Sequence, residues 1–504
     1  MPKTILEIRD ECNIKFHDLD IATRRKLVKA VEFFVPYARH MPSYKLGRWN
    51  GKVAFATQGA TSYINLLDKL IPVVVEAGYE LDLVDKRPHY PFDFPDVDED
   101  YLAEVRWPAG HRLEGQPIRL ESHQVEAINC FGGHLQAIQE LSTGAGKTIT
   151  SAALSRRVEP YGRSIIIVPN KDLVKQTEAD YKMIGLDTGV FFGDRKEFGH
   201  RHTVCTWQSL ARLDQNSKDG LSEIEISEFI QDVVCVMVDE VHTAKGEQLQ
   251  KLLTGAFRTV PIRWGFTGTV PREDWEFMPI LCSLGPVINR VSPKELQDKG
   301  FLATIHVNVC QMLDTVGFDD WQSELKYLTT DERRISYIAT LIEQIAEQDG
   351  NTLVLVDRVE CGKMLERLIS GSVFVSGATK GKDRSREYSD INAADNRIVI
   401  ATYGVAAVGL NIPRVFNLVM IEAGKSAIRT IQSIGRVLRR ARDKDEAVAY
   451  DFCSALKFSK KHLRERKKFY VEKEYPHDIF KIDYYTESPL EMLKKIKQKK
   501  SRTR

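Results

Sequence analysis

From about residue 117 the apolar positions of this chain fall into short unbroken runs, separated by turn residues and by stretches with helical periodicity. Runs of this kind belong to strands buried on both faces of a parallel sheet. A first series lies at 164–168, 203–206 and 233–238. A second lies at 305–309, 352–356, 372–375, 397–401, 418–422 and 447–451. Two consecutive strand–helix series predict an α/β protein with two doubly wound lobes. The join is expected at 292–300, where Pro293-Lys294-Glu295-Leu296 opens a short helix and Gly300 ends it.

The first 86 residues read as a small α/β unit. Strands are expected at 12–17, 52–55 and 79–84. Helices are expected at 64–76 and at 22–34, the latter with Leu27, Val31 and Phe34 on one face. Residues 87–95 hold Pro88, Pro91 and Pro95 and resist regular structure. They are expected to be a linker that leaves the front unit separable from the two lobes, which have their own cores. After Asp451 the chain becomes helical and basic, and the lysine-rich tail at 494–500 is expected to fray. The expected division is a small α/β front domain at 1–90, a first lobe at 91–290, a second lobe at 291–455 and a basic helical extension at 456–504.

Composition narrows the class. With 504 residues, a prior of about 150 residues per domain gives roughly three or four domains. A hydrophobic fraction of 43% and a charged fraction of 28% fit a globular protein with sizeable cores. The formal net charge is +2, so any affinity for nucleic acid would have to come from local basic patches. None of the eight cysteines forms a CxxC pair, which argues against zinc clamps and redox motifs. Several sit in apolar runs as buried thiols, which suits a reducing cytosol. No apolar run is long enough to cross a bilayer and no secretory signal opens the chain. The expected location is the cytoplasm, and the expected state is a monomer.

The chemistry starts at Leu141-Ser142-Thr143-Gly144-Ala145-Gly146-Lys147-Thr148. Backbone N–H groups of a tight loop at a helix N-terminus bind anionic oxygens, and glycines let the backbone approach. Thr143, Gly144, Ala145 and Gly146 would cradle the phosphates of ATP. Lys147 would reach the β and γ phosphates, and Thr148 would hold Mg²⁺. Leu141 stands where the usual pattern has its first glycine. Asp239-Glu240-Val241-His242 follows an apolar run, the place of a magnesium-holding aspartate. Asp239 would bind the ion through water, and Glu240 would orient or deprotonate the attacking water. Two readings stay open for His242: coupling to the other lobe, or capping and packing. Arg436 and Arg439 lie three apart and are expected to share a helix face. An arginine supplied across a lobe interface stabilises charge on a transferred phosphoryl group. Gln432 and Gly435 at fixed offsets set this stretch apart from an ordinary basic surface helix.

Together these residues resemble superfamily-two helicases and translocases over about 117–452, which implies two tandem RecA-like lobes. Gln124 matches the glutamine that reads adenine in that family. Val168-Pro169-Asn170 with Leu173 and Gln176 resembles motif Ia, and Thr206-Trp207-Gln208-Ser209 the segment after it on the nucleic-acid track. Phe266-Thr267-Gly268-Thr269 resembles motif III. Ala401-Thr402-Tyr403-Gly404 with Gly409-Leu410-Asn411 resembles motif V, and residues 432–439 resemble motif VI. One departure is Asn411, where many members carry Asp. The resemblance implies that DNA touches the regions of Pro169, Gln176, Trp207, Gly377 and Thr402.

Two finer likenesses narrow the branch. Asp239-Glu240-Val241-His242 with Arg272-Glu273-Asp274 is similar to the XPB-like motors, where an Arg-Glu-Asp loop helps part or grip the duplex; a plain exposed loop is the alternative. Tyr44-Lys45-Leu46-Gly47-Arg48-Trp49-Asn50-Gly51-Lys52-Val53 is similar to the front domain of UvsW-like phage recombination helicases. Read physically, the same segment surrounds Tyr44 and Trp49 with Arg39, His40, Lys45, Arg48 and Lys52. Cations contact phosphates and aromatics stack on bases. The alternative is that Trp49 belongs to a core. The basic stretch Lys460, Lys461, Arg464, Arg466, Lys467, Lys468 either follows a DNA backbone or is a solvated helix face.

The expected function is therefore an ATP- and Mg²⁺-dependent DNA helicase that remodels forks, D-loops and four-way junctions, with duplex or branched DNA and other recombination proteins as partners. A duplex translocase subunit of a restriction or remodelling system is a rival, set back by the lack of a nuclease-like acidic cluster. A non-catalytic clamp with a relic ATP site is another, set back by intact Lys147, Glu240 and Arg436. An RNA helicase is a third, since the motor motifs do not separate DNA from RNA.

Overall fold

The computed structural model describes residues 2–109, 113–242, 246–379, 394–406, 414–426, 430, 433–435, 437–441 and 443–503. The chain divides into two compact units, Met1–Leu141 with Gly146–Arg290 and Ser142–Ala145 with Val291–Arg504.

The front of the first unit contains β1 (Lys3–Ile8), β2 (Asn13–Phe16), β3 (Glu32–Phe34), β4 (Lys52–Ala54), β5 (Thr61–Tyr63) and β6 (Glu80–Asp85). Four of them form a sheet in the order β5-β2-β1-β6, while β3 and β4 make a separate antiparallel pair. Asp20 caps the helix Ile21–Ala30 by accepting from Thr23 N at 2.8 Å. That helix stops at Ala30 rather than at 34. The run Glu32-Phe33-Phe34 is rich in aromatic side chains that favour a strand, and it pairs with β4 instead.

The front unit shares its core with the lobe that follows, which argues against the expected separability. Its core of Phe16, Leu27, Leu70 and Val74 is completed by Met278 and Cys282 from the helix Asp274–Leu284 of the motor. Polar contacts follow the same seam. Glu11 N donates to Arg258 O at 3.0 Å, Asn13 Nδ2 to Thr254 O at 3.1 Å, and Gln136 Nε2 to Glu11 O at 2.6 Å. The proline-rich stretch carries no helix or strand among its described residues, as expected, but it is pinned. Tyr90 stacks on Phe92 at 5.2 Å, and Phe92 and Phe94 both meet Tyr161 edge-on. The Arg157 guanidinium donates to the carbonyls of Phe94 and Pro95, each at 2.6 Å.

The motor lobe of this unit holds β7 (Gln136–Leu141), β8 (Arg163–Val168), β9 (Thr188–Phe192), β10 (Arg195–Lys196), β11 (His202–Thr206), β12 (Val233–Asp239), β13 (Ile262–Thr267) and β14 (Val287–Val291). Their order is β10-β9-β11-β8-β12-β13-β7-β14, with parallel pairing from β9 across to β7. β8 and β12 are almost wholly buried, which is why their sequences are unbroken apolar runs.

The second unit holds β15 (Thr304–Met312), β16 (Thr352–Val356), β17 (Val373–Val375), β18 (Ile398–Thr402), β19 (Asn417–Ile421), β20 (Glu446–Ser454) and β21 (His477–Ile482). They form a parallel sheet in the order β17-β18-β16-β19-β20-β15-β21. The basic extension is thus part of this lobe, since it supplies the edge strand β21. The tail is not frayed: the helix Pro489–Thr503 buries Met492, Leu493 and Ile496 in the lobe core, an apolar stripe at helical spacing. Lys497 Nζ donates to Asp349 Oδ1 at 3.0 Å beside it.

Deleting residues 1–86 is expected to lower the melting temperature of the remaining chain, because Met278 and Cys282 lose their cover and a fully buried large side chain is worth ~1.5–3 kcal/mol. Differential scanning fluorimetry checks this; a truncated chain that melts with the intact one would show that the shared core contributes nothing.

Candidate functional site

In an open parallel sheet, ligands bind where strands end at their carboxyl termini. β7, β13 and β12 are neighbours, and the three segments singled out above leave their carboxyl ends at 141–148, 267–269 and 239–242. Gly144 and Gly146 adopt φ of +91° and +78°, the left-handed region that glycine occupies without strain. Gly146 precedes the helix Lys147–Val158, whose first N–H groups have no carbonyl partner within the helix and so suit an anion. A Cβ at Gly146 would come 2.1 Å from Gln124 Nε2. Gln124 is buried in the first turn of the helix Ser122–Gly132, with its Oε1 accepting from Glu121 N at 2.9 Å in a capping box. The glutamine expected to read adenine therefore lies directly against the end of the phosphate loop.

Asp239 closes β12, and its Oδ1 accepts from Glu240 N at 2.9 Å. Lys147 Nζ sits 3.7 Å from Glu240 Oε1 and donates to Leu141 O at 3.4 Å. His242 Nδ1 lies 3.3 Å from Glu240 Oε2 and 3.4 Å from Thr267 Oγ1, and Thr267 Oγ1 donates to Thr269 O at 2.8 Å. His242 thus connects the acidic pair to the motif III segment of its own lobe. Burial pushes the Asp239 carboxyl up to about 6, the neighbouring Glu240 charge adds to this, and Lys147 and His242 oppose it. A divalent cation would relieve that cost. The Asp239 carboxylate and the hydroxyl of Thr148, second residue of the helix, are hard oxygens of the kind Mg²⁺ takes alongside phosphates and water. The residues present fit that ion.

In the second unit, Gly409, Asn411, Gln432 and Arg436 lie outside the described residues. Arg439 does not lie on a helix, as expected from its spacing, but in an isolated antiparallel bridge with Leu302. The cause is Lys444, which is buried and donates to the carbonyls of Val437 at 2.5 Å and Arg439 at 3.0 Å, taking groups a longer helix would use. Burial, followed by the Arg439 charge, pushes Lys444 down to about 7.

The expected nucleic-acid residues fall on the same carboxyl edges. Pro169 follows β8 and Trp207 follows its neighbour β11; Gly377 follows β17 and Thr402 ends its neighbour β18. Pro169 lines a cavity of about 540 Å³ with Lys171, Lys196 and Arg212. Trp207 is half-buried against the lobe core, so its ring anchors the helix Trp207–Lys218, and Gln176 is half-buried on the helix Lys171–Met183. Arg272 is exposed just ahead of the helix Asp274–Leu284. Trp275 of that helix meets Tyr37 of the front domain edge-on at 5.3 Å. Arg48 is exposed. Trp49 is half-exposed outside the front core, with its Nε1 donating to Lys52 O at 2.8 Å. Gly51 (φ +78°) closes this loop, and a Cβ there would come 2.6 Å from the Phe34 ring. Sequence reasoning missed Lys444 and the burial of Arg466, because a single cation in a polar stretch carries no local sign of being enclosed.

Two parallel sheets of this kind in one chain, with a phosphate loop and an acidic strand end in the first, define a RecA-like nucleotide-driven motor. The family model "Type III restriction enzyme, res subunit" matches residues 117–272, and "Helicase conserved C-terminal domain" matches 334–441. The chain belongs to the superfamily-two helicases. It is 23% identical over 513 residues to the ATP-dependent DNA helicase uvsW of Enterobacteria phage T4, covering 95% of this chain and 97% of that one. It is 24% identical over 416 residues to the DNA 3'-5' helicase XPB of Mycobacterium tuberculosis, covering 76% and 71%. Among solved structures, S. cerevisiae Dbp5 bound to RNA and ADP BeF3 shares the fold at a TM-score of 0.53 and 14% identity, over 76% of this chain and 94% of that one.

Gly146→Ala is expected to displace Gln124 and strain the loop, weakening nucleotide binding by about tenfold, or ~1.4 kcal/mol. Titration with a fluorescent ATP analogue checks this; wild-type affinity would mean that the Gln124 contact is dispensable.

Proposed function

We propose that this chain is an ATP-dependent DNA helicase and translocase that remodels branched DNA: forks, D-loops and four-way junctions. The observation that carries the branched substrate is the front loop. Exposed Arg39, Lys45 and Arg48 surround half-exposed Trp49, and Tyr37 joins the same region to the helix behind Arg272. A motor that only follows one strand needs the carboxyl edges of its lobes. A second basic and aromatic surface, fused to the first lobe, suits a second arm of DNA. The relative named as the phage T4 ATP-dependent DNA helicase, matched over nearly its whole length, supports the DNA-helicase part of the reading.

In this reading residues 1–90 bind DNA, 91–290 bind ATP, 291–455 form the second lobe, and 456–504 extend it. Before nucleotide binds, Lys147 lies beside Glu240. With ATP present the ammonium turns to the β and γ phosphates and releases the carboxylate. Water then attacks the γ phosphorus, its proton passes to Glu240, and the bond to the bridging oxygen of ADP breaks. Mg²⁺, held by Asp239 and Thr148, supplies charge neutralisation on the phosphates when bound. Gln432, Arg436 and Arg439 take up charge on the transferred group, Gly409 and Asn411 contact the nucleotide, and Gln124 reads adenine. Pro169, Gln176, Trp207, Gly377 and Thr402 line the strand. No described helix is long and apolar enough to cross a membrane, and the reading puts the enzyme with DNA in the cytosol.

The deciding experiment is ATP turnover stimulated by single strands, duplex, a four-way junction or RNA. Stimulation by the junction above the single strand supports the reading, and stimulation by RNA alone overturns it. Lys147→Ala should abolish turnover while leaving DNA affinity intact. Glu240→Gln should bind ATP and hydrolyse it on the order of 10²–10⁴-fold more slowly; normal turnover in a single-turnover assay would leave Glu240 with a structural role only.

For the front loop, Arg48→Ala should weaken junction binding and lower the salt slope by about one. Trp49→Ala should cost ~1–3 kcal/mol of affinity with the salt slope and melting temperature unchanged. Unaltered junction affinity in the folded double variant would remove this loop from the DNA surface.

A further inference from the structure

Exposed cations line one face of the helix Lys457–Glu472. Lys457, Lys460, Lys461 and Arg464 stand at i, i+3, i+4 and i+7, and all four are exposed. At 1.5 Å per residue this stripe is about 10 Å long. The opposite face holds Ser459, Leu463, Arg466 and Tyr470, all buried. Arg466 Nε and Nη2 form a bidentate pair with Asp451 of β20, each at 2.9 Å, and Tyr470 OH donates to Asp451 Oδ2 at 2.9 Å. The Glu324 carboxylate accepts from Phe458 N at 3.1 Å and Ser459 N at 2.6 Å, so N–H groups of the first turn are already used. The outward side chains therefore stand on a fixed platform.

The charges of the stripe are uncompensated. Other exposed helical lysines of this chain have an acid four residues away. Lys182 meets Glu178 at 2.7 Å, Lys218 meets Asp214 at 2.5 Å, Lys251 meets Glu247 at 2.6 Å and Lys299 meets Glu295 at 2.7 Å. Among the described residues, Lys457, Lys460, Lys461 and Arg464 have no ion-pair partner; Glu465 of the same helix pairs with Lys468 at 2.9 Å. Lys425, exposed just after β19, adds to the same positive region. Burial pushes the His462 imidazole down to about 4, and the charges of Arg466, Lys425 and Lys461 act in the same direction. Like charges four apart disfavour a helix, so local stability does not account for the stripe. A polyanion on this face turns the repulsion into attraction.

The kind of polyanion follows from what the face lacks. No aromatic side chain of the helix is exposed: Phe458 and His462 are half-buried, Phe469 and Tyr470 buried. Single strands are held by bases stacked on aromatic rings as well as by cations. A duplex keeps its bases inside and offers phosphates, spaced at 3.4 Å of rise along each strand, so a stripe of about 10 Å meets about three of them. The helix starts three residues after β20, at the carboxyl edge of the sheet, the edge where Gly377 and Thr402 also lie. All four cations lie beyond the matched helicase segment, which ends at 441.

We propose that this face is a duplex-DNA site, in which Lys457, Lys460, Lys461 and Arg464 contact backbone phosphates of a double-stranded arm at the second lobe without reading its bases. It deepens the DNA-motor reading above and rests on it.

The test uses the full-length chain without nucleotide. Its affinity for a blunt duplex and for a single strand of the same length is measured over a range of salt concentrations. The fourfold variant Lys457→Gln, Lys460→Gln, Lys461→Gln, Arg464→Gln should bind the duplex at least tenfold more weakly, with a salt slope shallower by about three. Its single-strand affinity should stay within about twofold of wild type. A control, Lys182→Gln, Lys218→Gln, Lys251→Gln, Lys299→Gln, loses the same number of charges and should leave duplex affinity within about twofold. An unchanged duplex slope in the fourfold variant overturns the inference. So does an equal loss in the control, which would assign the effect to overall charge, and so does an equal loss on the single strand. If the melting curve shows that the fourfold variant does not fold, the pair Lys461→Gln, Arg464→Gln decides. A duplex slope shallower by about one to two supports the site, and an unchanged slope overturns it. A wild-type chain that binds neither DNA would remove the DNA-motor reading instead.

Discussion

One ammonium stands against two carboxylates at the end of β12. Asp239 is enclosed and its carboxyl is raised to about 6, while Glu240, the next residue, keeps a lysine 3.7 Å away. Adjacent like charges at a buried strand end are unstable without a counter-charge. Lys147 supplies it, but from the first turn of a helix on a different strand, β7, with β13 between them. The site therefore exists only when three parallel strands are in register. His242 adds the third strand to the same circuit through Thr267. A nucleotide that draws Lys147 away, together with a cation for Asp239, changes every partner in this circuit. Such binding would be felt at the ends of three adjacent strands, β12, β13 and β7.

That dependence explains what could be read from the chain alone. Strands buried on both faces, such as β8, β12 and β16, announce themselves as apolar runs, and the site segments follow them directly. β7 was not legible, because Gln136, Gln139 and Glu140 interrupt it. Gln139 is nevertheless buried, with its side-chain amide donating to Ala127 O at 2.7 Å, a contact that periodicity cannot foresee. β21 was hidden for the opposite reason. As an edge strand it keeps His477 and Asp478 partly exposed, with Asp478 joined to His306 at 3.0 Å. Spacing placed Arg436 and Arg439 on one helix face. Arg439 instead pairs with Leu302, and Lys444, unremarkable in sequence, folds back on the carbonyls of Val437 and Arg439.

The front domain shows a limit of reading prolines as linkers. Pro88, Pro91 and Pro95 do prevent regular structure, yet the aromatic side chains between them stack into a strap. A buried arginine, Arg157, satisfies backbone carbonyls that have no ladder to join. The consequence for function is mechanical. A domain tethered by a flexible chain would hold DNA independently of the motor. One that shares Met278 and Cys282 with the helix behind Arg272 moves as the first lobe moves.

The same device recurs in the second unit, where buried cations again anchor loops through backbone carbonyls. Enclosing a cation costs several kcal/mol unless its donors are all satisfied. Arg157, Arg466 and Lys444 offset that cost by taking carbonyls at a bend or a helix end, and Arg466 adds the Asp451 carboxylate, while Arg157 Nε stays buried without a partner. An apolar side chain could fill the same volume, but it could not choose which carbonyl faces inward. Directional donors select one backbone path among several of similar packing. Such selection matters most where a loop must present a charged side chain to a phosphate, since an error of about 1 Å there can cost on the order of 10²-fold in rate.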